Sequence, residues 1–139
     1  LVISRNVTHI IRNHLKVYGE WLRVLKPNGV LLIFDANWHL PYQPGSVREE
    51  AIRRERLGLE KYHSGYTHDS YEYIDSELNP ENYRVFGKAQ RPDFELGVLA
   101  QLPYKEISFE RDVTEELWSE REKLFYGATP LYMIRAVKQ

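Results

Sequence analysis

Residues 1–37 carry the most constraining pattern in the chain, because a strand, a helix and a second strand follow one another within them. Consecutive apolar residues at positions 1–3 and 30–34 are typical of strands that are covered on both faces. Proline interrupts helices and Gly29 suits a left-handed turn, so Lys26-Pro27-Asn28-Gly29 ends the helix. We therefore expect two neighbouring parallel strands joined by a right-handed crossover. The apolar stripe of the crossover helix comprises Tyr18, Trp21, Leu22 and Leu25.

The rest of the chain predicts further helices and two more strands. A Ser46–Glu49 capping box should open a helix with a self-paired charged face, which runs to about Lys61. A well-buried helix is expected to begin near Asp93, and helical spacing recurs between Leu117 and Phe125. The predicted fold is therefore α/β, with helices on both faces of one sheet. Its strands are expected near residues 1–5, 30–35, 105–110 and 130–137.

Composition excludes several classes of function. The formal net charge is -1, so nothing in the charge balance predicts binding to nucleic acid or to an anionic membrane. No apolar run reaches the roughly 20 residues of a membrane span, and the chain has no cysteine. The five histidines show no spacing typical of a metal site. We expect a cytoplasmic protein, because the lack of cysteine fits a reducing compartment, and we expect no metal site.

Polar residues follow both strands of the first unit, and these are the first site candidates. Arg5 and Asn6 leave the first strand, while Asp35 and Asn37 leave the second. Ligands of open parallel sheets bind beyond the carboxyl ends of the strands, which favours a site there. The alternative is that Asn6 and Asp35 only cap the elements that follow.

Two histidines lie just beyond these strand exits. His9 follows the first strand and His39 follows the second, so either is a candidate general base toward a hydroxyl or an amine. The alternative interpretation, a polar loop histidine without catalytic work, applies to both.

The first forty residues resemble a class I S-adenosylmethionine-dependent methyltransferase. The resemblance lies in the segments 1–8, 20–29 and 32–38, which are similar to strands four and five of that fold and to the Lys-Pro-Gly-Gly turn between them. Asn28 stands where the first glycine of that turn usually is. The Phe34-Asp35-Ala36-Asn37-Trp38 exit resembles a subgroup that acts on small molecules. The similarity returns at the C-terminus, where residues 131–137 resemble the antiparallel strand seven.

The resemblance implies roles for the residues at the strand exits. It places Arg5, Asn6 and Val7 along the methionine end of S-adenosylmethionine. It places the methyl acceptor against Asp35, Asn37, Trp38 and Tyr42. Residues 39–91 resemble the insertion that closes over the substrate as a lid. The tyrosines there suit a lid, although simple surface packing is the alternative; they are Tyr62, Tyr66, Tyr71, Tyr73 and Tyr83.

The resemblance covers the substrate side of the methyltransferase only. The family's Gly-rich cofactor loop, G-x-G-x-G, occurs nowhere in the 139 residues. The chain opens on an apolar strand and its one methionine is Met133, so we expect it to be part of a larger protein. We expect the larger protein to be an enzyme and the chain alone to be inactive.

A non-catalytic module is the alternative function. Leu1-Val2-Ile3 would form an edge strand without a charged or proline residue to protect it. Such an edge recruits another strand, most simply that of a second copy in a homodimer. A Gly-rich loop encoded upstream of Leu1 would favour the enzyme, and a start codon there would favour the module.

Overall fold

The computed structural model describes residues 1–65 and 90–139, which divide into two compact units. The first unit contains residues 1–36, 90–113 and 131–139, and the second contains residues 37–65 and 114–130. None of the helices in these described ranges combines the length and the apolar content of a membrane-spanning segment. Four of the tyrosines in the predicted lid, Tyr66, Tyr71, Tyr73 and Tyr83, lie outside the described residues.

The first unit is built on a four-stranded mixed sheet. Its strands are β1 (Val2–Arg5), β2 (Val30–Asp35), β3 (Tyr104–Glu110) and β4 (Tyr132–Lys138), in the order β1-β2-β4-β3. β1 and β2 are parallel neighbours, whereas β4 is antiparallel to both β2 and β3. The predicted strand positions, the parallel pair and the coarse α/β class are confirmed.

Two helices pack against one face of this sheet. They are α1 (His14–Val24) and α3 (Asp93–Leu99), and their apolar residues share a core with Leu31 and Ile33 of β2. Leu22 and Leu25 are buried in this core and Trp21 packs against it, as the helical spacing predicted.

The prediction of helices on both faces of the sheet is not met within the described residues of the first unit. Burial alternates along β2, and Leu1 and Ile3 are 75% and 59% exposed. The apolar run at 1–3 was therefore a wrong indicator of burial, because consecutive apolar residues in a strand point to opposite faces and only one face here carries helices. The helix from Asp93 was also expected to be well buried, but Phe94 is 36% exposed.

The turn before β2 differs from the sequence prediction in one residue. Asn28, not Gly29, adopts the left-handed conformation, with φ of 61°. Asparagine tolerates this region because its short side chain can bond locally. Gly29 is required for space instead, since a Cβ there would lie 2.7 Å from the carbonyl oxygen of Lys26.

The second unit pairs two helices at a close contact. α2 (Ser46–Tyr62) packs on α5 (Glu120–Tyr126), and a short helix α4 (Thr114–Leu117) precedes α5. A Cβ on Gly58 of α2 would lie 2.4–2.7 Å from the ring atoms of Phe125. The helices therefore approach so closely that glycine is needed at position 58.

The ends of these helices correct one sequence prediction. The N-cap of α2 is Gly45, and no side chain caps it, so the predicted Ser46–Glu49 capping box is wrong. A true capping box joins Ser119 and Glu122 at the start of α5. The charged face of α2 is self-paired as expected: Arg53 and Arg54 each donate to Glu50 at 2.7 Å.

Candidate functional site

Asp35 joins the carboxyl ends of β1 and β2. Its Oδ2 accepts hydrogen bonds from the Thr8 hydroxyl at 2.7 Å and from the backbone N–H of His9 at 3.1 Å. The Nδ1 atom of His9 lies 3.0 Å from Oδ1 and 3.2 Å from Oδ2. The Ala36 backbone N–H donates to Oδ1 at 2.9 Å. Two parallel strands thus end on one shared carboxylate, at the edge where ligands of such sheets bind.

Burial and hydrogen bonding act in opposite directions on this carboxylate. Asp35 is completely buried, which by itself raises its pKa. The hydrogen bonds from His9, Thr8 and Ala36 outweigh burial and leave the pKa of Asp35 below its ordinary value. Asp35 is therefore a stable anion that can orient or charge-stabilise a neighbouring group.

A second buried ion pair lies beside the first. Arg91, which precedes α3, pairs with Glu95 in the first turn of that helix, and both side chains are almost fully buried. Arg91 also donates to the Thr8 hydroxyl at 3.2 Å, and the Thr8 hydroxyl donates to Asp35. Thr8 therefore links the two carboxylates and the guanidinium into one network, in which each hydrogen bond strengthens its neighbours.

Aromatic side chains enclose this network. Tyr18 of α1 and Tyr132 of β4 are fully buried, and burial raises the pKa of both phenols. The negative charge of Asp35 raises the pKa of Tyr132 further. His14 donates from Nε2 to the Thr8 carbonyl at 2.8 Å, and burial lowers the pKa of its imidazole. The phenols stay protonated and His14 stays neutral, so the charges of the network remain on Asp35, Glu95 and Arg91.

The three predicted cofactor residues lie at the carboxyl end of β1, where Arg5 is the last residue of the strand and Asn6 and Val7 follow it, and all three are exposed. Asn6 has a left-handed φ of 55°, and its N–H donates to the Phe34 carbonyl at 2.9 Å, which extends the pairing of β1 with β2. Val7 precedes the 3-10 turn Thr8–Ile10. The backbone turns at Asn6, and the exposed residues Arg5, Asn6 and Val7 immediately precede Thr8 and His9, which contact the Asp35 carboxylate.

The structure brings His9 and Asp35 together and places the remaining candidates in the second unit. Asn37, Trp38, His39 and Tyr42 are partly buried there, the last ending the 3-10 turn Leu40–Tyr42. Trp38 packs among aromatic rings, with ring centroids 6.0 Å from Trp118 and 5.5 Å from Tyr126. These contacts are those of a structural cluster, although Trp38 as a whole is only partly buried.

Sequence reasoning missed Thr8, Arg91 and Glu95. Arg91 and Glu95 stand four residues apart at the start of a helix rich in apolar residues, and this spacing is the signal that could have indicated an ion pair. The Asp35 contacts also bear on the alternative that Asp35 only caps the element that follows it in sequence. Asp35 caps the Thr8–Ile10 turn through the His9 N–H, but it does so from the neighbouring strand.

Comparison of this chain with models of protein families, with curated proteins and with solved structures gave no match. Within residues 1–65 and 90–139, no three side chains of histidine, aspartate or glutamate come together as metal ligands. The sheet and the Asp35 contacts describe the first unit as an α/β fold with a buried carboxylate network at the carboxyl ends of two parallel strands.

Acid should weaken the folded state through His14. Its folded pKa lies below the ordinary 6.5, so the unfolded chain binds this proton more readily. The stabilisation is complete above pH 6.5 and is lost as pH falls toward the folded pKa. We expect the free energy of unfolding in urea to fall from pH 7 to pH 5, and to fall less in His14→Gln, which keeps a donor for the Thr8 carbonyl. Equal slopes would show that His14 does not titrate as its burial indicates.

Proposed function

We propose that this chain is the substrate-side half of a cytoplasmic, S-adenosylmethionine-dependent methyltransferase that acts on a small molecule. One observation carries the proposal: two neighbouring parallel strands end on a shared polar network built from Thr8, His9 and Asp35. An antiparallel last strand and a Lys26-Pro27-Asn28-Gly29 turn before β2 support it, since both agree with the resemblance of the sequence to that family.

The proposed roles follow the geometry at the strand exits. Arg5, Asn6 and Val7 are exposed at the carboxyl end of β1 and would line the methionine end of the cofactor. Asp35 would act on the acceptor through His9. The acceptor roles of Asn37, Trp38 and Tyr42 are implied by the resemblance of the sequence to the family alone. Methyl transfer is an in-line displacement, so the main work of these residues is to hold the nucleophile and the methyl group in near-attack geometry.

Removing the Asn6 side chain should weaken cofactor binding. Asn6→Gly keeps the left-handed backbone and deletes the amide, so the change tests the side chain alone. We expect S-adenosylmethionine to bind about fivefold more weakly, the value of about one hydrogen bond. The assay is calorimetry on the protein that carries this chain together with its cofactor loop.

Asn28→Gly is the matched control for this experiment. Asn28 has a similar φ of 61° but precedes β2, at the opposite end of the strand pair. Its replacement should leave the affinity unchanged. Equal affinities of wild type and Asn6→Gly would remove Asn6 from the cofactor site, and a protein that does not bind S-adenosylmethionine at all would overturn the proposed function.

A non-catalytic module that associates through β1 is the second candidate. Among residues 1–65 and 90–139, β1 pairs on one side only, with β2, and its Ile3 side chain is 59% exposed. An apolar edge with unpaired backbone groups can accept a strand, and a second copy of the chain is the occupant we propose.

Light scattering should show a dimer of the 139-residue chain, and Ile3→Lys should convert it to a monomer, because an edge lysine opposes strand pairing. Phe109→Lys is the control, since Phe109 is 42% exposed on the strand at the other edge of the sheet. It should leave the dimer intact. A wild-type monomer at high concentration would exclude association through β1.

A further inference from the structure

We propose that His9 is the general base for the proposed methyl transfer, that Asp35 positions it, and that the acceptor is therefore a hydroxyl or an amine. This inference rests on the proposed function and deepens it. It selects one of the two histidines at the strand exits and assigns a class of acceptor.

The contact between His9 and Asp35 sets the tautomer of the imidazole. Nδ1 lies 3.0 Å and 3.2 Å from the two carboxylate oxygens, and an anionic acceptor at these distances holds the proton on Nδ1. In neutral imidazole the other nitrogen, Nε2, then carries the lone pair. This is the tautomer in which a histidine takes a proton from a substrate.

Exposure separates the roles of the two residues. The Asp35 side chain is completely buried, so a bound molecule cannot touch it, whereas the His9 side chain is 18% exposed. The carboxylate is further fixed by the Thr8 hydroxyl and the Ala36 N–H. The backbone N–H of His9 also donates to Asp35, so the main chain and the ring of His9 are held by the same group. A buried carboxylate behind a partly exposed imidazole is the arrangement that orients a base.

Proton transfer to His9 completes the reaction. His9 receives the acceptor's proton on Nε2 while the acceptor's lone pair forms the bond to the methyl carbon and the electrons of the broken carbon–sulfur bond stay on sulfur. The imidazolium that forms faces the Asp35 carboxylate, which stabilises its charge. Acceptors that lose no proton, such as carboxylates and thioethers, have no use for this base. The inferred class is therefore an alcohol, a phenol or an amine.

The activity test uses the protein that carries this chain, labelled S-adenosylmethionine, and a panel of phenols, alcohols and primary amines set against carboxylic acids and thioethers. We expect methylation within the first group only. His9→Gln should lower kcat by about 10²–10⁴-fold, and the pH profile of kcat should lose the limb that reports one basic group. Asp35→Asn should lower kcat about 10–100-fold, while both variants keep the cofactor Kd. His63→Asn, on the exposed left-handed residue that ends α2, is the control and should behave as wild type.

A second measurement does not depend on turnover. In protein with ¹⁵N-labelled histidine, the imidazole nitrogen spectrum should show His9 protonated on Nδ1, and Asp35→Asn should change that tautomer. Protonation on Nε2 in the wild type would overturn the inference, even if Asp35→Asn proves too unstable to study.

The outcomes for the inference and for the proposed function are distinct. The protein could bind S-adenosylmethionine and turn over while His9→Gln keeps the wild-type rate and pH profile. That result would overturn the role of His9 as general base, and the proposed methyltransferase function would still hold. Methylation confined to carboxylic acids or thioethers, or of no member of the panel, would overturn the acceptor class. Failure to bind S-adenosylmethionine would overturn the proposed function. The ¹⁵N spectrum would still show whether Asp35 holds the proton on Nδ1 of His9.

Discussion

Replacing Arg91 with alanine should lower the free energy of unfolding by about 3–5 kcal/mol. The change leaves the Glu95 carboxylate buried without its partner, and Glu95 has none of its side chain exposed. It also removes the donor to the Thr8 hydroxyl. Burying an uncompensated charge costs more than the pair itself contributes, so the effect should exceed that of a surface ion pair. Urea unfolding followed by circular dichroism measures it.

Arg53→Ala is the matched control for this experiment. Arg53 also pairs with a glutamate close to it in sequence, Glu50 of α2, but the Arg53 side chain is 58% exposed. Its loss should leave the free energy of unfolding nearly unchanged, because water screens an exposed pair. A double variant, Arg91→Met with Glu95→Leu, should recover part of the stability because it leaves no lone charge. Equal losses from Arg91→Ala and Arg53→Ala would show that the buried pair is not the source of the effect.

Gly58→Ala should lower the free energy of unfolding by about 1–3 kcal/mol. Alanine is the better helix former, so helix propensity alone predicts the opposite sign. The added methyl would lie 2.4–2.7 Å from the Phe125 ring, closer than carbon atoms can approach, and α2 and α5 would have to separate. Steric conflict between packed helices should therefore outweigh the gain in propensity.

Gly19→Ala tests the same substitution where space is open. Gly19 lies within α1, and a Cβ there would meet nothing within 4 Å. Its replacement should raise the free energy of unfolding by about 0.5–1 kcal/mol. The two variants should thus shift the urea midpoint in opposite directions. A stabilised Gly58→Ala variant would show that the helices are not packed through this position.

The sheet could be predicted from local patterns because its two interior strands, β2 and β4, are strongly apolar. β2 and β4 are marked by runs such as Val30–Phe34, and the crossover helix by its stripe of Tyr18, Leu22 and Leu25. What failed depends on distant partners. The apolar run at 1–3 indicated two covered faces, but which faces are covered depends on where helices pack, and that is not encoded within the strand.

The part of the candidate site that depends on the sheet could also be predicted from the sequence. His9 and Asp35 could be placed at one sheet edge because parallel strands align their carboxyl ends. The contribution of Arg91 and Glu95 could not be predicted, since α3 reaches Thr8 only through tertiary packing across more than eighty residues. The left-handed turn was assigned to Gly29 because glycine is the usual residue there, whereas Asn28 adopts it.

Among the strands of residues 1–65 and 90–139, the ribosome delivers the strand that joins β2 to β3 after the other three. β4 lies between β2 and β3, so among these strands β3 gains its neighbour only when residues 132–138 have emerged. Until then the nascent chain exposes the edges of β2 and β3 together, which are surfaces that a chaperone can hold or a wrong strand can occupy. A stop codon shortly before Tyr132 would leave every residue of β3 in place and still detach that strand, because the strand that joins it to β2 would be missing.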